Sequence, residues 1–195
     1  MLKNLLKNHK LILASGSPRR QQFFKDLELD VTIDVRPVDE VYPASLKGNE
    51  ITDYLAKLKA STFTNLNENE IVITSDTIVW FQDKALEKTN TPEAAFAMIK
   101  SLSNTMHEVI TSVCFTSKNF QIVKNNTTKV WFIKLSDSEI KFYINHYKPF
   151  DKAGSYGIQE WIGYIGIEKI EGSYFNVMGL PTHLVYKTLQ EIVST

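Results

Sequence analysis

The sequence predicts a mixed α/β fold, a central β-sheet flanked by helices. Two observations carry this. Short runs of apolar and β-branched residues alternate with helical segments along the whole chain. The two longest β-type runs, residues 109–116 and 121–135, lie next to each other and read as antiparallel strands, so the sheet is mixed rather than purely parallel.

Taken in order, residues 11–14 are a short apolar run suited to a buried strand. Ser15-Gly16-Ser17 makes a tight polar turn; Ser17 suits an N-cap and Pro18 the first helical position, which needs no N–H donor. A helix is expected from Pro18 to about Leu27, then a strand over 31–35 and an acid-rich loop over 37–42. Glu50 to about Thr64 reads as a helix, with Ile51, Tyr54, Leu55 and Leu58 on one face. Residues 71–74 and 78–81 are strand-like and flank Ser75-Asp76-Thr77, so Asp76 is expected within or just after a buried strand. Thr91-Pro92-Glu93 opens a helix running to about Leu102. Ser136-Asp137-Ser138-Glu139 is a capping box for a helix to about Tyr147. Residues 151–157 form a glycine-rich loop, 164–170 a strand, and 182–193 a closing helix after Pro181.

Composition narrows the partners. The 195 residues suffice for one sizeable domain or two small lobes. Twenty-two acids balance 22 bases, whereas a protein reading duplex phosphates carries a basic excess, so nucleic acid is not an expected partner. No apolar stretch reaches transmembrane length and the N-terminus lacks a signal-peptide apolar region, so a cytoplasmic protein without a membrane partner is expected. The four histidines are scattered without metal-ligand spacing, and the lone Cys114, between Val113 and Phe115, reads as a buried thiol. Aromatics such as Trp131 and Tyr147 would serve a homodimer interface or the core; the sequence leaves both open.

The strand–turn–helix junction at residues 11–20 is the most informative local pattern. Free N–H groups and the helix dipole at such a junction attract anions. Two of the three arginines in the chain, Arg19 and Arg20, sit there, and a guanidinium grips phosphate bidentately. The alternative is a helix start with two solvated charges. Asp76 follows apolar and β-branched residues, where a carboxylate is costly unless used; the alternative is a capping Asp at a strand end. Asp39-Glu40 and Glu87-Lys88 fall in predicted loops, and Lys59 lies late in a helix, facing inward near Leu55 or outward to solvent. Gln159 closes a run of small residues and can donate and accept at once, which suits the edge of a pyrimidine. No GxxxxGK[ST] or GxGxxG occurs, which disfavours the P-loop and dinucleotide-binding classes.

Together these motifs resemble the Maf family of nucleoside triphosphate pyrophosphatases. The resemblance runs end to end: ASGSPRR (14–20), Asp39-Glu40, LAKLKA (55–60), SDTIV (75–79), LEK (86–88), DKAGSYGIQ (151–159) and GSYFNVMGLP (172–181). The first and sixth are highly specific. DKAGxYGIQ resembles the dTTP/UTP branch rather than the branch that prefers 7-methyl-GTP. The resemblance implies a single domain over 1–195, built on an elongated mixed sheet, with two lobes around a nucleotide-binding cleft as in inosine triphosphate pyrophosphatases. It implies hydrolysis of dTTP and UTP to the monophosphate and pyrophosphate. Asp76 would be the general base, and Arg19, Thr77 and Gln159 would set substrate choice. Ser15, Arg20, Lys59 and Lys88 would bind the phosphates; Glu40 and Glu87 would position water or a Mg²⁺ or Mn²⁺ cofactor. The alternatives are a broader house-cleaning pyrophosphatase for non-standard nucleotides and a nucleotide-binding regulator of septum formation or cell division. Three departures from the family pattern stand out: Ser75 replaces a frequent Ala, Thr89 a usual Pro, and the stretch SGxxHxVxTGV has Asn104 and Ser112 for its glycines.

Overall fold

The computed structural model describes residues 1–194. Helix α1 (Leu2–Leu5) leads into strand β1 (Lys10–Leu13), helix α2 (Pro18–Asp26), strand β2 (Val31–Ile33) and helix α3 (Asn49–Ala60). The long strand β3 (Glu70–Phe81) and the short β4 (Lys84–Leu86) precede helix α4 (Pro92–Leu102), strands β5 (Met106–Thr116) and β6 (Gln121–Phe132) and helix α5 (Asp137–Tyr147). Helix α6 (Trp161–Gly166), strand β7 (Ile167–Glu171), helix α7 (Tyr174–Val177) and helix α8 (Thr182–Ser194) complete the described chain.

The seven strands form one mixed sheet in the order β2-β1-β3-β5-β6-β7, with β4 added to β3. β1 pairs in parallel with both β2 and β3, placing Leu11 opposite Val31 and Ile71. β4 pairs antiparallel to β3 through Val79 and Leu86, and β7 antiparallel to β6. β5 and β6 are neighbours separated by residues 117–120, a link far too short for a parallel crossover, so they run antiparallel.

Contacts divide the chain into two units: Met1–Asp76 with Thr111–Asn126 and Gly179–Thr195, and Thr77–Ile110 with Thr127–Met178. β3, β5 and β6 each pass from one unit into the other. In the first unit, Ile12, Phe63 and Val72 cluster, and the small Ala56 and Ala60 let α3 lie close over Cys114. The second unit has its own core, in which Ile99 and Leu102 of α4 and Ile140 and Tyr143 of α5 are fully buried.

Local signals place most elements correctly. Thr91 caps α4 through the Ala94 N–H at 3.2 Å, and the Ser136–Glu139 capping box is present with both bonds. Ser17 is the N-cap of α2, but its hydroxyl makes no capping bond; the Ser15 hydroxyl accepts the Ser17 N–H at 3.3 Å instead.

One expectation is sharpened and two need correction. β3 is one strand running through Ser75-Asp76-Thr77, because β1 pairs with its first half, β4 with its last residues and β5 runs alongside. Asp76 is therefore mid-strand and not a cap at a strand end. α3 stops at Ala60, where the Ser61 and Thr62 hydroxyls turn back to the carbonyls of Leu58 (2.8 Å) and Lys59 (2.9 Å). Its buried face runs through Ile51, Thr52, Leu55, Ala56 and Ala60, leaving Tyr54 exposed. Residues 164–166 are helical, despite the β propensity of Tyr164 and Ile165. A Cβ on Gly163 would sit 1.8 Å from the Ile158 carbonyl oxygen, and Ile162 and Gly166 are buried, so packing dictates the turn. Trp131 is half-buried under the Lys169 ammonium, 4.5 Å from the ring centre, and Tyr147 is exposed, stacked on Tyr143.

Among the described residues no helix is long and apolar enough to cross a membrane. Cys114 is buried, and burial pushes its thiol up, so little thiolate forms at neutral pH.

Candidate active site

The first unit gathers six of the expected site residues: Ser15, Arg19, Arg20, Glu40, Lys59 and Asp76. The β1–α2 turn supplies three. Ser15 is buried, and its carbonyl accepts the Gln21 amide at 3.1 Å, fixing the turn against its own helix. Gly16 is exposed, and a Cβ there would meet nothing, so the turn backbone is open to approach. Arg19 and Arg20 are half-buried.

Arg20 does not simply extend into water. Its Nε donates to the Gly179 carbonyl and its Nη1 to the Ser75 carbonyl, both at 2.9 Å. The guanidinium thus ties the α2 start to β3 and to the turn before α8. Burial pulls it below its ordinary value, the Asp76 carboxylate pulls it back up, Arg19 opposes, and Glu40 assists. A guanidinium stays cationic at neutral pH under any such balance. The unfavourable placement of two cations at a helix start is offset by these acids.

Lys59 lies in the last turn of α3 with its side chain 17 % exposed. Its ammonium is 2.7 Å from Asp76 Oδ1 and 3.0 Å from Glu40 Oε2. The inward alternative is the one observed. Asp76 is buried in mid-strand, and this ion pair compensates a carboxylate that would otherwise be expensive there. Glu40 is exposed in its loop.

Sequence reading missed what holds α3 in place. The Thr74 hydroxyl donates to the Ala56 carbonyl at 2.7 Å, two residues before Asp76 on the same strand face. Ser112 donates to Asp53 at 2.6 Å and lies 2.6 Å from the Thr52 hydroxyl, while the Asn125 amide donates to both Asp53 oxygens. The visible signal was polar residues at buried positions of β-type runs.

The second unit holds Thr77, Glu87, Lys88 and Gln159. Thr77 is half-buried and directly follows Asp76 on β3; Glu87 and Lys88 are exposed just after β4. Gln159 is half-buried at the end of a heavily anchored loop. Gly154, at φ +70°, lies so close to Val79 that a Cβ would be 2.8 Å from its Cγ2. The Tyr156 hydroxyl is 2.6 Å from His107 Nε2. Burial lowers His107 to about 4, so it is neutral at pH 7. The Tyr143 hydroxyl donates to Glu160 and accepts the Gly157 N–H at 3.0 Å, and burial together with Glu160 pushes Tyr143 up. Lys152 is buried between Asp151 (2.7 Å) and Glu160 (3.1 Å).

The donor set also bears on metals. Among the described residues no three His, Cys, Asp or Glu side chains converge to hold an ion. Lys59 brings together two carboxylates, Asp76 and Glu40, and takes one oxygen of each. That set fits a hard divalent cation sharing its coordination with water and phosphate oxygens, not a protein-caged metal.

The sequence pattern of the Maf-like protein family matches residues 10–192. The chain belongs to the Maf family. Relatives named dTTP/UTP pyrophosphatase include one from Christiangramia forsetii, 63 % identical over 196 residues with both chains covered in full. One from Flavobacterium johnsoniae is 60 % identical, covering 99 % of this chain and 100 % of its own. One from Bacteroides fragilis is 46 % identical, covering 98 % and 100 %. A solved HAM1 protein from Coxiella burnetii shares the α/β fold, with TM-score 0.50 and 12 % identity over 94 % of this chain and 99 % of that one.

The departures of this Maf chain from the family pattern have structural counterparts. Asn104, in place of a glycine, has φ +60°, the left-handed region that asparagine tolerates better than most residues. Ser112, in place of the other, supplies the hydroxyl bonded to Asp53. Thr89 is buried and hydrogen-bonded to Ser155 at 2.8 Å. Ser75 is buried, and its hydroxyl has no partner among the described residues.

Proposed function

We propose that this Maf protein hydrolyses dTTP and UTP to the nucleoside monophosphate and pyrophosphate. The observation that carries the reading is the Asp76–Lys59–Glu40 cluster, in a chain 63 % identical over its full length to a relative bearing that name.

In this reading, water attacks the α-phosphorus and the α–β anhydride bond breaks. Asp76 takes a proton from the water, and the leaving pyrophosphate carries the bridging oxygen. Lys59 neutralises Asp76 and Glu40 in the free enzyme and offers its ammonium to phosphate oxygens when substrate enters. Arg20, Lys88 and the N–H groups of the Ser15 turn offset the developing negative charge. Arg19, Thr77 and Gln159 select the nucleotide, with the Gln159 amide reading the pyrimidine edge. Asp76 and Glu40, with Glu87 as a further candidate, would hold a Mg²⁺ or Mn²⁺ ion. Such an ion, when bound, polarises phosphate oxygens and lowers the pKa of its water. Both units would act as one pyrophosphatase domain, since three strands are shared between them. The cytoplasm, which holds the nucleotide pool, is the expected compartment.

The test is pyrophosphate release across a panel of canonical and non-standard nucleotides under metal titration, with Asp76→Asn beside the native protein. Preference for dTTP and UTP, with turnover at least about 100-fold lower in the variant, supports the reading. Equal rates on all nucleotides would favour a broad house-cleaning enzyme. Binding without turnover would favour a regulator.

A further inference from the structure

Thr89 and Ser155 are 66 positions apart and in direct contact. Thr89 Oγ1 lies 2.8 Å from Ser155 Oγ, and both residues are buried. Either hydroxyl can be the donor of this bond, and Ser155 Oγ also lies 3.4 Å from Met98 Sδ. The bond links two segments of the second unit that the proposed function gives to the substrate. Thr89 immediately follows Glu87-Lys88, and Ser155 lies in the loop that ends at Gln159. The other anchors of that loop go elsewhere: Tyr156 to His107 on β5, and Gly157 to Tyr143 on α5.

The backbone at Ser155 is one that its surroundings must hold. Ser155 has φ +55° and follows Gly154 at φ +70°. Two successive left-handed residues, the second with a side chain, persist only where surroundings hold them. Gly154 packs against Val79, and Ser155 is held by its N–H to the Lys152 carbonyl at 3.1 Å and by its hydroxyl contacts to Thr89 and Met98.

We propose that the Thr89–Ser155 hydrogen bond is a latch that sets the Lys88 segment and the Gln159 loop in register, making the two residues a positioning pair for nucleotide selectivity. This rests on the reading of Lys88 and Gln159 as substrate-binding residues. Neither Thr89 nor Ser155 touches substrate; each acts through its neighbours. The latch explains why a hydroxyl pair stands where two apolar side chains would fill the space without a buried polar contact.

The test is a double-mutant cycle of Thr89→Val and Ser155→Ala, with Thr89→Ser as the conservative control and Gln159→Ala in the same panel. KM and kcat are measured for UTP and for inosine triphosphate, and thermal midpoints are recorded for every variant. Each latch variant should raise KM for UTP by about five- to tenfold, the size expected for losing one buried hydrogen bond. kcat should change less, and the UTP preference should move toward that of Gln159→Ala. The double variant should be no worse than either single one, and Thr89→Ser should keep native selectivity. Lowered midpoints with native KM and native selectivity would overturn the latch and leave a purely structural bond. If Gln159→Ala shifts selectivity and the latch variants do not, the latch alone fails. If Gln159→Ala leaves selectivity unchanged, the base-reading assignment fails and takes the latch with it.

Discussion

The Lys59 ammonium lies 2.7 Å from the Asp76 carboxylate, joining the last turn of α3 to the middle of the longest described parallel-paired strand. The same ammonium reaches Glu40 at 3.0 Å. One ammonium therefore pairs with two acids, and removing it takes the direct ion-pair partner from the buried Asp76, leaving Arg20 as the other cation acting on both carboxylates.

Lys59→Met should accordingly cost both activity and stability. Breaking a largely buried pair from one side typically costs about 3 kcal/mol, because the remaining charge stays desolvated. Urea denaturation at pH 7 should show this loss. Adding Asp76→Asn should recover part of it, since the uncompensated charge is then gone. An unchanged denaturation midpoint in Lys59→Met would mean that the pair is solvated and adds nothing.

Ser75→Ala should behave in the opposite way. The Ser75 hydroxyl is buried without a partner among the described residues, and such a group carries a desolvation cost of about 1 kcal/mol or more. Its carbonyl, which accepts from Arg20, is untouched by the substitution. The thermal midpoint should hold or rise by about 2–4 °C, with native kcat. A clear fall in midpoint would show that the hydroxyl is satisfied in solution.

His107 predicts a specific pH dependence. Burial lowers it from 6.5 to about 4 in the folded protein. The unfolded chain therefore binds the proton first as pH falls, and its binding favours unfolding. Stability from this group is fully present above pH 6.5, declines between 6.5 and 4, and changes no further below that. The full loss amounts to about 3 kcal/mol at 1.36 kcal/mol per unit. Urea midpoints from pH 7 to 4 should fall more steeply for the native protein than for His107→Gln, which cannot titrate. Parallel curves would place the proton elsewhere.

The strand–turn–helix junction at Leu11 to Arg20, the caps at Thr91 and Ser136 and the family motifs were all readable along the chain. Each depends on residues within a few positions of one another: a proline at the first helical position, a hydroxyl three residues before a free N–H, an unbroken apolar run. The left-handed turn at Asn104 was not read from the sequence; it is a finding of the structure, at a residue that tolerates it. Elsewhere local preference was overruled. Tyr164 and Ile165 favour a strand, yet they lie in α6, whose Ile162 and Gly166 are buried and whose Gly163 packs where no side chain fits. Ser75-Asp76-Thr77 could be read as inside a strand or as its end, and strands on both sides carry β3 straight through.

Sequence by itself determined which chemical groups this Maf protein possesses and which short segments present them. Tertiary structure alone decided that Lys59 turns inward to Asp76 and Glu40, that Arg20 spends two donors on the Ser75 and Gly179 carbonyls, and that Thr89 meets Ser155. The reason is physical. Those contacts join residues 17 to 159 positions apart, and nothing local selects them. They form only because helix packing and strand pairing bring distant backbone together, and because a buried charge or hydroxyl must then find its partner there.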